Sequence, residues 1–404
     1  MRFFLALLLL LALYSCKKDE IKKLNLGTYR AVLHIQDQEE IPFLFEVKND
    51  TLLTIFNADE VIEVDEIFYK NDSITIQTPV FEGYIQAKIE SDTLKGYFLK
   101  PSLDRIVPFS AYKNSKRFIA NTTPKQDING NWETVFSQNS ESERYVAKGI
   151  FKQEDEKVTG TFRTTTGDYR YLEGIVDGDS LKLSTFDGAH AFLFKAKVSD
   201  SIINGFFYSG NHWKESFIAK RNEDYELPEE EKLTYLKDGY DQFYFSFPDT
   251  RGRLVSSSDP EFDDKVIVIQ IMGTWCPNCL DESKYLVNYL QNNPNDDLQI
   301  VGLAFEVAKT RELAYQRINR LKERINIPYP ILLAQFSNEA NKEMAHQKLP
   351  MLNHVISYPT TIFIDKNKKV RKIHTGFNGP ATGKKYDDFK EEFEQFVTQL
   401  LNEK

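Results

Sequence analysis

The chain has 404 residues, a formal net charge of −9 at pH 7 and only three cysteines. A single hydrophobic core rarely grows beyond about 250–300 residues, so this length predicts about two or three domains. The composition, with 13% aromatic and 27% charged residues, is typical of a folded, soluble protein rather than a disordered one. The acidic balance argues against nucleic-acid binding, which needs clustered Lys and Arg, and the cysteine count excludes a disulfide-rich scaffold.

The N-terminus predicts export and lipid attachment. Residues 1–15 combine Arg2 with an apolar run, and this run is shorter than the roughly 20 residues that a membrane-spanning helix needs. The sequence Leu13-Tyr14-Ser15-Cys16 resembles a bacterial lipobox, which implies cleavage before Cys16 and acylation of its sulfur and its new amino group. We therefore expect a lipoprotein signal peptide over 1–15 and an anchor in the lipid bilayer through Cys16. An ordinary signal peptide that ends near a cysteine is the alternative.

A charged tether is predicted over residues 16–23. Within it, Lys18-Asp19-Glu20 resembles the acidic export tag of surface lipoproteins in Bacteroidetes-type bacteria, although a plain tether is the simpler interpretation. We expect the protein to lie in the cell envelope and to face the periplasm, with surface exposure as the alternative that an export tag favours.

Two β-rich repeats are predicted next, over residues 24–118 and 126–221. Each consists of short runs that alternate apolar and polar residues, separated by turn residues, which is the pattern of antiparallel meanders. The order recurs along the chain, since Gly27-Thr28-Tyr29 in the first repeat corresponds to Gly130-Asn131-Trp132 in the second. We predict roughly eight strands in each repeat, packed as two barrel-like or sandwich-like units, with one large sheet as the alternative.

The repeats contain no recognisable catalytic cluster. His190 and His212 each stand alone among strand residues, so a surface or core position is favoured over a role as metal ligand. The sequence therefore predicts that this region binds a ligand or acts as a spacer.

The pattern changes after residue 221. Residues 222–242 are acidic and contain Pro228, which is typical of a linker, with one short helix possible from Pro228 onward. A continuous apolar run over 265–272 then predicts a strand buried on both faces. Further helices are expected up to residue 292 and over 310–325, 338–346 and 386–401, and further strands over 299–305, 329–333, 361–365 and 370–374. Alternating strands and helices predict an α/β domain with a central sheet over 243–404.

The second and third cysteines lie where this buried strand meets its first helix, in Cys276-Pro277-Asn278-Cys279. The N-terminus of a helix stabilises a thiolate through its free N–H groups and its dipole. The spacing predicts a redox pair in which Cys276 attacks a disulfide and Cys279 resolves the mixed disulfide from one turn away. Half of a zinc site is the alternative, but the sequence has no second cysteine pair or paired histidines to complete it, so neither a metal nor a cofactor is predicted.

Two motifs carry a resemblance to a known family. Trp275 precedes the cysteine pair directly, and Tyr358-Pro359-Thr360 leads into a predicted strand. In these features residues 243–404 resemble the thioredoxin superfamily, most closely the lipoproteins and membrane-tethered reductases of the TlpA/ResA type. The resemblance implies that Pro359 is cis and that Trp275, Tyr358 and Pro359 form the platform on which substrate is bound. It also implies that Glu282 tunes the thiols, with a plain surface position as the alternative.

Together these features predict a thiol–disulfide oxidoreductase of the cell envelope, for which the resemblance favours the reductase direction. The expected partners are substrate proteins with disulfides and a second dithiol protein that exchanges electrons with the pair. Direction follows from the reduction potential and is not fixed by sequence. The alternative is an outer-membrane ligand-binding lipoprotein in which the β-rich repeats carry the main function and the dithiol is accessory.

Overall fold

A computed structural model describes residues 21–228, 233–337 and 342–403. The predicted signal peptide, Cys16 and the predicted export tag lie outside the described residues. Among the helices that the structure does describe, none has the length and apolar character needed to cross a bilayer.

The first β-rich repeat forms one antiparallel sheet of nine strands. Its strands are β1 (Gly27–His34), β2 (Glu40–Asn49), β3 (Leu52–Asn57), β4 (Glu60–Val64), β5 (Glu66–Lys70), β6 (Ser73–Gln77), β7 (Tyr84–Glu90), β8 (Thr93–Lys100) and β9 (Arg105–Lys113). The spatial order is β4-β3-β2-β1-β9-β8-β7-β6-β5, so the first and last strands pair and the open edges are β4 and β5. Strand β7 shows why these residues form a sheet: Ile85, Ala87 and Ile89 are buried while Gln86 and Lys88 between them are exposed.

The second repeat also has nine strands, and its ring is closed. Its strands are β10 (Gly130–Phe136), β11 (Tyr145–Glu154), β12 (Lys157–Thr164), β13 (Gly167–Asp168), β14 (Leu172–Asp177), β15 (Ser180–Phe186), β16 (Ala191–Val198), β17 (Ile202–Ser209) and β18 (Trp213–Arg221). Strand β10 pairs with both β11 and β18, and an additional pairing of β11 with β12 completes the ring. Closure leaves the main strands paired on both sides.

The structure confirms two separate β-rich, barrel-like sheets in place of one large one. Each sheet begins with a strand that pairs with the last strand of its own repeat. Tyr29 and Trp132, which the sequence comparison matched, occupy equivalent first strands and are both fully buried. The prediction of eight strands was too low by one in each sheet, because β4 and β5 are joined by the single residue Asp65 and because β13 is only two residues long.

The C-terminal domain is built on a five-stranded sheet with the order β23-β22-β21-β24-β25. A short hairpin, β19 (Ser246–Pro248) with β20 (Leu254–Ser256), precedes β21 (Val266–Met272), β22 (Leu298–Val307), β23 (Ile331–Ser337), β24 (Thr360–Ile364) and β25 (Val370–Thr375). The helices are α1 (Pro277–Asn292), α2 (Arg311–Arg324), α3 (Lys342–Lys348) and α4 (Lys384–Asn402). Strands β21, β22 and β23 are parallel, whereas β24 and β25 are antiparallel to their neighbours. All residues of β21 are buried, as the continuous apolar run predicts.

The element boundaries differ from the predicted ones by a few residues. Helix α2 begins one residue later than expected because Thr310 is its N-cap, whose hydroxyl accepts a hydrogen bond from Leu313 N at 3.2 Å. Strand β23 runs to Ser337 and not to Leu333. The first four residues of the predicted helix over 338–346 lie outside the described residues, as does most of the predicted short helix that would follow Pro228.

The first sheet is docked against helix α2 by arginine–carboxylate contacts. Arg317 contacts Glu82, and Arg320 makes a bidentate pair with Glu66 at 2.8 and 3.0 Å. Arg324 pairs with Asp65 at the corner between the two open edge strands, β4 and β5. Val80 and Phe81, in the connection between β6 and β7, belong to the hydrophobic core of the C-terminal domain. The open seam of the first sheet is therefore covered by the C-terminal domain.

Candidate active site

The cysteine pair lies at the N-terminus of α1, directly after buried strand β21. Cys276 is the N-cap residue, and its sulfur accepts a hydrogen bond from Cys279 N at 3.2 Å. Pro277 occupies the first helical turn, where the missing N–H costs nothing. Strand, cap and helix thus place the first sulfur where unpaired backbone donors stabilise negative charge.

The two thiols differ in their surroundings. Both are free, but Cys276 is 7% exposed whereas Cys279 is fully buried. Burial, followed by the hydrogen bond and charge of Cys276, raises the pKa of Cys279 well above its ordinary value. Cys276 is therefore the more accessible of the two sulfurs, and the raised pKa of Cys279 favours its protonated form.

The loop before β24 faces the cysteine pair. The Tyr358–Pro359 peptide bond is cis, as the family resemblance implies. The sulfur of Cys276 donates a hydrogen bond to the carbonyl oxygen of Tyr358 at 3.4 Å. Trp275 packs edge-on against Tyr358 with ring centroids 5.5 Å apart, and its Nε1 donates to Phe305 O at 2.9 Å. The structure thus brings Trp275, Tyr358 and Pro359 together with Cys276.

Glu282 lies beneath the pair and is fully buried, so the alternative of a plain surface position is wrong. Its carboxyl accepts hydrogen bonds from Gln270 Nε2 at 2.8 Å and from Thr361 Oγ1 at 2.5 Å. The same Gln270 amide donates to the carbonyl oxygen of Cys279 at 3.2 Å. Burial raises the pKa of Glu282 to about 7, against the lowering effect of its two hydrogen bonds. Glu282 can therefore hold or release a proton near neutral pH, and the Gln270 amide connects it to the backbone of Cys279.

A second buried carboxyl, Glu306, supports the loop that carries the pair. It accepts hydrogen bonds from Thr274 N at 2.8 Å and from Thr274 Oγ1 at 2.6 Å, two residues before Cys276. Burial raises the pKa of Glu306. The sequence analysis did not identify this residue, since a single glutamate at the end of a strand has no distinctive spacing.

The site is covered by a segment of the second sheet that the sequence analysis missed. This covering segment, residues 165–171, joins β12 to β14 and includes β13. Ser357 Oγ donates to Thr166 O at 2.8 Å, and Asn278 Nδ2 donates to Asp168 O at 3.4 Å. The Asp168 carboxylate in turn accepts from Gly379 N at 2.5 Å. The covering segment therefore contacts both the Cys-x-x-Cys turn and the loop of Pro359.

Arg170 fixes the covering segment to helix α1. Its buried guanidinium pairs with Asp281 of α1, with Glu60 of the first sheet and with Asp187 of the second, the last at 3.4 Å. Burial alone would lower the pKa of Arg170, but the negative charges of these carboxylates outweigh it and raise this pKa above its ordinary value. One side chain thus ties together both sheets and the helix that carries the cysteines. Nothing in the local sequence around Arg170 signals this, because its three partners come from distant parts of the chain.

The isolated histidines have structural positions. His190 packs on Phe192 and lies 3.3 Å from the carboxylate of Asp187, and His212 lies at the rim of a cavity described below. His354, near the loop of Pro359, shares a hydrogen bond of 3.2 Å with Asn353 of the same loop. In the part of the chain that the structure describes, no three His, Cys, Asp or Glu side chains converge as a metal site.

Comparison with known proteins assigns the C-terminal part of the chain. The family model for Redoxin matches residues 240–389. The matched residues coincide with the C-terminal α/β domain, which is thus similar to the thioredoxin-type proteins of this family. The C-terminal domain is 24% identical to the thioredoxin-like protein YneN of Bacillus subtilis over 141 residues. This alignment covers 35% of the present chain and 73% of YneN. The domain is also 23% identical over 143 residues to the thiol-disulfide oxidoreductase ResA of the same organism. That alignment covers 35% of the present chain and 69% of ResA.

Among the solved structures that the chain matches is a thiol:disulfide interchange protein of the thioredoxin family from Chlorobium tepidum. It is 18% identical, covers 41% of this chain and all of its own, and has a TM-score of 0.30. The family match confirms the predicted thioredoxin-type domain. It leaves the two β-rich sheets without a relative of their own among these matches.

Proposed function

We propose that the protein is a thiol–disulfide oxidoreductase that reduces protein disulfides through Cys276 and Cys279. The curated relatives of the thioredoxin domain include thiol-disulfide oxidoreductases, which supports this activity for the domain. The observation that carries the assignment of roles is the asymmetry of the pair: Cys276 caps the helix and is the more accessible sulfur, whereas Cys279 is buried with a raised pKa.

The chemistry follows from that asymmetry. The Cys276 thiolate attacks one sulfur of a substrate disulfide, which forms a mixed disulfide and releases the other substrate sulfur as a thiolate that takes a proton from solvent. Cys279 then loses its proton and attacks the sulfur of Cys276, which closes the Cys276–Cys279 disulfide and releases the second substrate thiol. Two electrons pass to the substrate with one proton from Cys279 and one from solvent, and an external dithiol protein must restore the reduced pair.

Glu282 is proposed to receive the proton of Cys279. Its pKa of about 7 suits a group that exchanges protons at neutral pH, and Gln270 links its carboxyl to the backbone of Cys279. Trp275, Tyr358 and Pro359 are proposed as the surface on which the substrate chain lies, because the carbonyl oxygen of Tyr358 contacts the Cys276 sulfur and Trp275 packs on Tyr358.

The activity is tested by disulfide reduction with the chain lacking residues 1–15. The wild type is expected to reduce insulin in the presence of a dithiol donor, and Cys276→Ser to abolish turnover. The matched variant Cys279→Ser retains the attacking sulfur but cannot release the product, so it should accumulate a mixed disulfide. Wild-type thiols that stay inert with every donor would contradict the proposal and favour the alternative, ligand binding by the β-rich repeats.

Direction is tested by the reduction potential of the pair in glutathione buffers. A value near that of thioredoxin, about −270 mV, supports a reductase, whereas a value near about −120 mV indicates an oxidase. The cellular location is also a proposal: acylation of Cys16 would hold the protein in the envelope, facing the periplasm. Labelling with radioactive palmitate, compared between wild type and Cys16→Ser, tests this anchor.

A further inference from the structure

A cavity of about 410 Å³ lies where the two β-rich sheets meet the thioredoxin domain. Phe81 and Phe98 of the first sheet, Ala189 and Ala191 of the second, and Trp275 of the thioredoxin domain form its apolar wall. Its volume falls within the range of about 300–1,000 Å³ typical of small-molecule sites, which often occur at domain interfaces. All three parts of the protein thus contribute to the lining of one cavity, which is partly open to solvent.

Cationic side chains outnumber carboxylates among the residues that line this cavity. Lys100, Arg105 and Arg317 line it, and among its described lining residues Glu82 is the only carboxylate. Glu82 is already paired with Arg317. Within the described residues no ion pair engages Lys100 or Arg105, and Lys100 donates only to the backbone oxygen of Ala189 at 2.9 Å. Two positive charges therefore face the cavity without a counter-charge in contact.

The titration behaviour of nearby groups agrees with a positive potential in this cavity. Burial and the charge of Arg105 lower the pKa of Lys100 to about 8, although Glu82 and Asp187 act in the opposite direction. Partial burial and the charges of Arg105 and Lys100 lower the pKa of His212, at the rim, to about 4. A bound anion would relieve this repulsion between like charges.

We propose that this cavity binds a small molecule that combines a carboxylate with an apolar body. The carboxylate would pair with Lys100 and Arg105, and the apolar part would lie against Phe81, Phe98 and Trp275. The apolar walls match the apolar body of such a molecule, and the two unpaired cations match its carboxylate. This site would give the β-rich sheets a binding function of their own.

The cavity also reaches the redox site through Trp275. This residue directly precedes Cys276 and packs on Tyr358, whose carbonyl accepts the hydrogen bond of the Cys276 thiol. A ligand in the cavity would contact Trp275 and both sheets at once. The proposal rests on the cavity alone and does not depend on the thiol chemistry.

Decanoate is a suitable probe because 1-decanol has the same chain length without the charge. Isothermal titration with the chain lacking residues 1–15, kept below the micelle concentration, is expected to show one decanoate per protein and at least tenfold weaker binding of decanol. Lys100→Gln and Arg105→Gln should each weaken decanoate binding by about tenfold, the equivalent of about 1.4 kcal/mol. Lys95→Gln is the matched control, since Lys95 lies on the same strand, β8, but is exposed.

A second variant separates loss of binding from loss of folding. Ala189→Phe fills the cavity without removing a charge and should abolish binding of decanoate, while circular dichroism shows whether each variant keeps the β-rich fold. Equal affinity for decanoate and decanol, unchanged affinity in Arg105→Gln, or full binding by a folded Ala189→Phe would each overturn the proposal. Absence of any decanoate binding to the wild type would overturn it as well.

Discussion

The buried carboxyl of Glu282 makes the stability of the thioredoxin domain depend on pH in a defined direction. Burial raises the pKa of this group from 4.5 to about 7 in the folded protein. Because the folded-state pKa lies above the unfolded one, the folded state favours the protonated form. Its stabilising contribution is complete below about pH 4.5 and is lost as the pH rises through about 7.

The size of the effect follows from the pKa difference. Each unit corresponds to about 1.36 kcal/mol, so ionising Glu282 in place costs about 3 kcal/mol of the free energy of unfolding. In Glu282→Gln this pH-dependent cost is absent. The amide loses one hydrogen bond with Gln270 or Thr361, but that loss is the same at every pH. We therefore expect the stability of the wild type, relative to Glu282→Gln, to fall by about 3 kcal/mol between about pH 4.5 and 8.

Scanning calorimetry at a series of pH values measures this difference. For a domain of this size about 1 kcal/mol shifts Tm by roughly 2–4 °C, so the Tm of the wild type minus that of the variant should fall by about 6–12 °C over this range. Glu394→Gln is the control, because it removes an exposed carboxylate of helix α4. A difference between wild type and Glu282→Gln that stays constant with pH would refute the reasoning, since the carboxyl would then not be titrating from a buried, protonated state.

Three further predictions concern access, reactivity and packing. Asp281→Asn removes one charged partner of Arg170, and the loss of a buried ion-pair partner costs about 3–5 kcal/mol. Because the covering segment is then held less firmly, alkylation of Cys276 by a bulky maleimide should accelerate tenfold or more. An unchanged rate would mean that the Arg170–Asp281 pair does not hold the covering segment. In the reduced wild type, iodoacetamide near neutral pH should label Cys276 and leave Cys279 unlabelled, because burial and its neighbour raise the pKa of Cys279; peptide mass spectrometry that finds equal labelling would contradict this. Trp132→Ala should lower the free energy of unfolding of the second sheet by about 3–5 kcal/mol, since Trp132 is fully buried and its Nε1 donates to Ile128 O at 2.9 Å. If calorimetry finds a decrease below about 1 kcal/mol, Trp132 does not have this place in the core.

The sequence was most informative where local pattern determines structure. The apolar run of β21 and the Cys-x-x-Cys at the start of α1 predict a buried strand, a helix N-terminus and a redox pair from adjacent residues. Alternation in strands such as β7 predicts the β-rich repeats. The missed features depend on contacts between residues that are far apart in the chain. Arg170 meets Glu60 and Asp281 only because both sheets pack on the thioredoxin domain, and no local pattern encodes that packing.

The covering segment has a consequence for how tightly any substrate can bind. Residues 165–171 already contact Ser357, next to the Tyr358–Pro359 edge, so under the proposed function a substrate chain competes with a segment of the same molecule. An intramolecular competitor acts at a high effective concentration, of the order of millimolar for short flexible connections. The apparent affinity for a substrate then equals the intrinsic affinity multiplied by the fraction of molecules in which the segment has moved away. Under the proposed function, a disulfide protein would then bind only where its own contacts outweigh those of the covering segment.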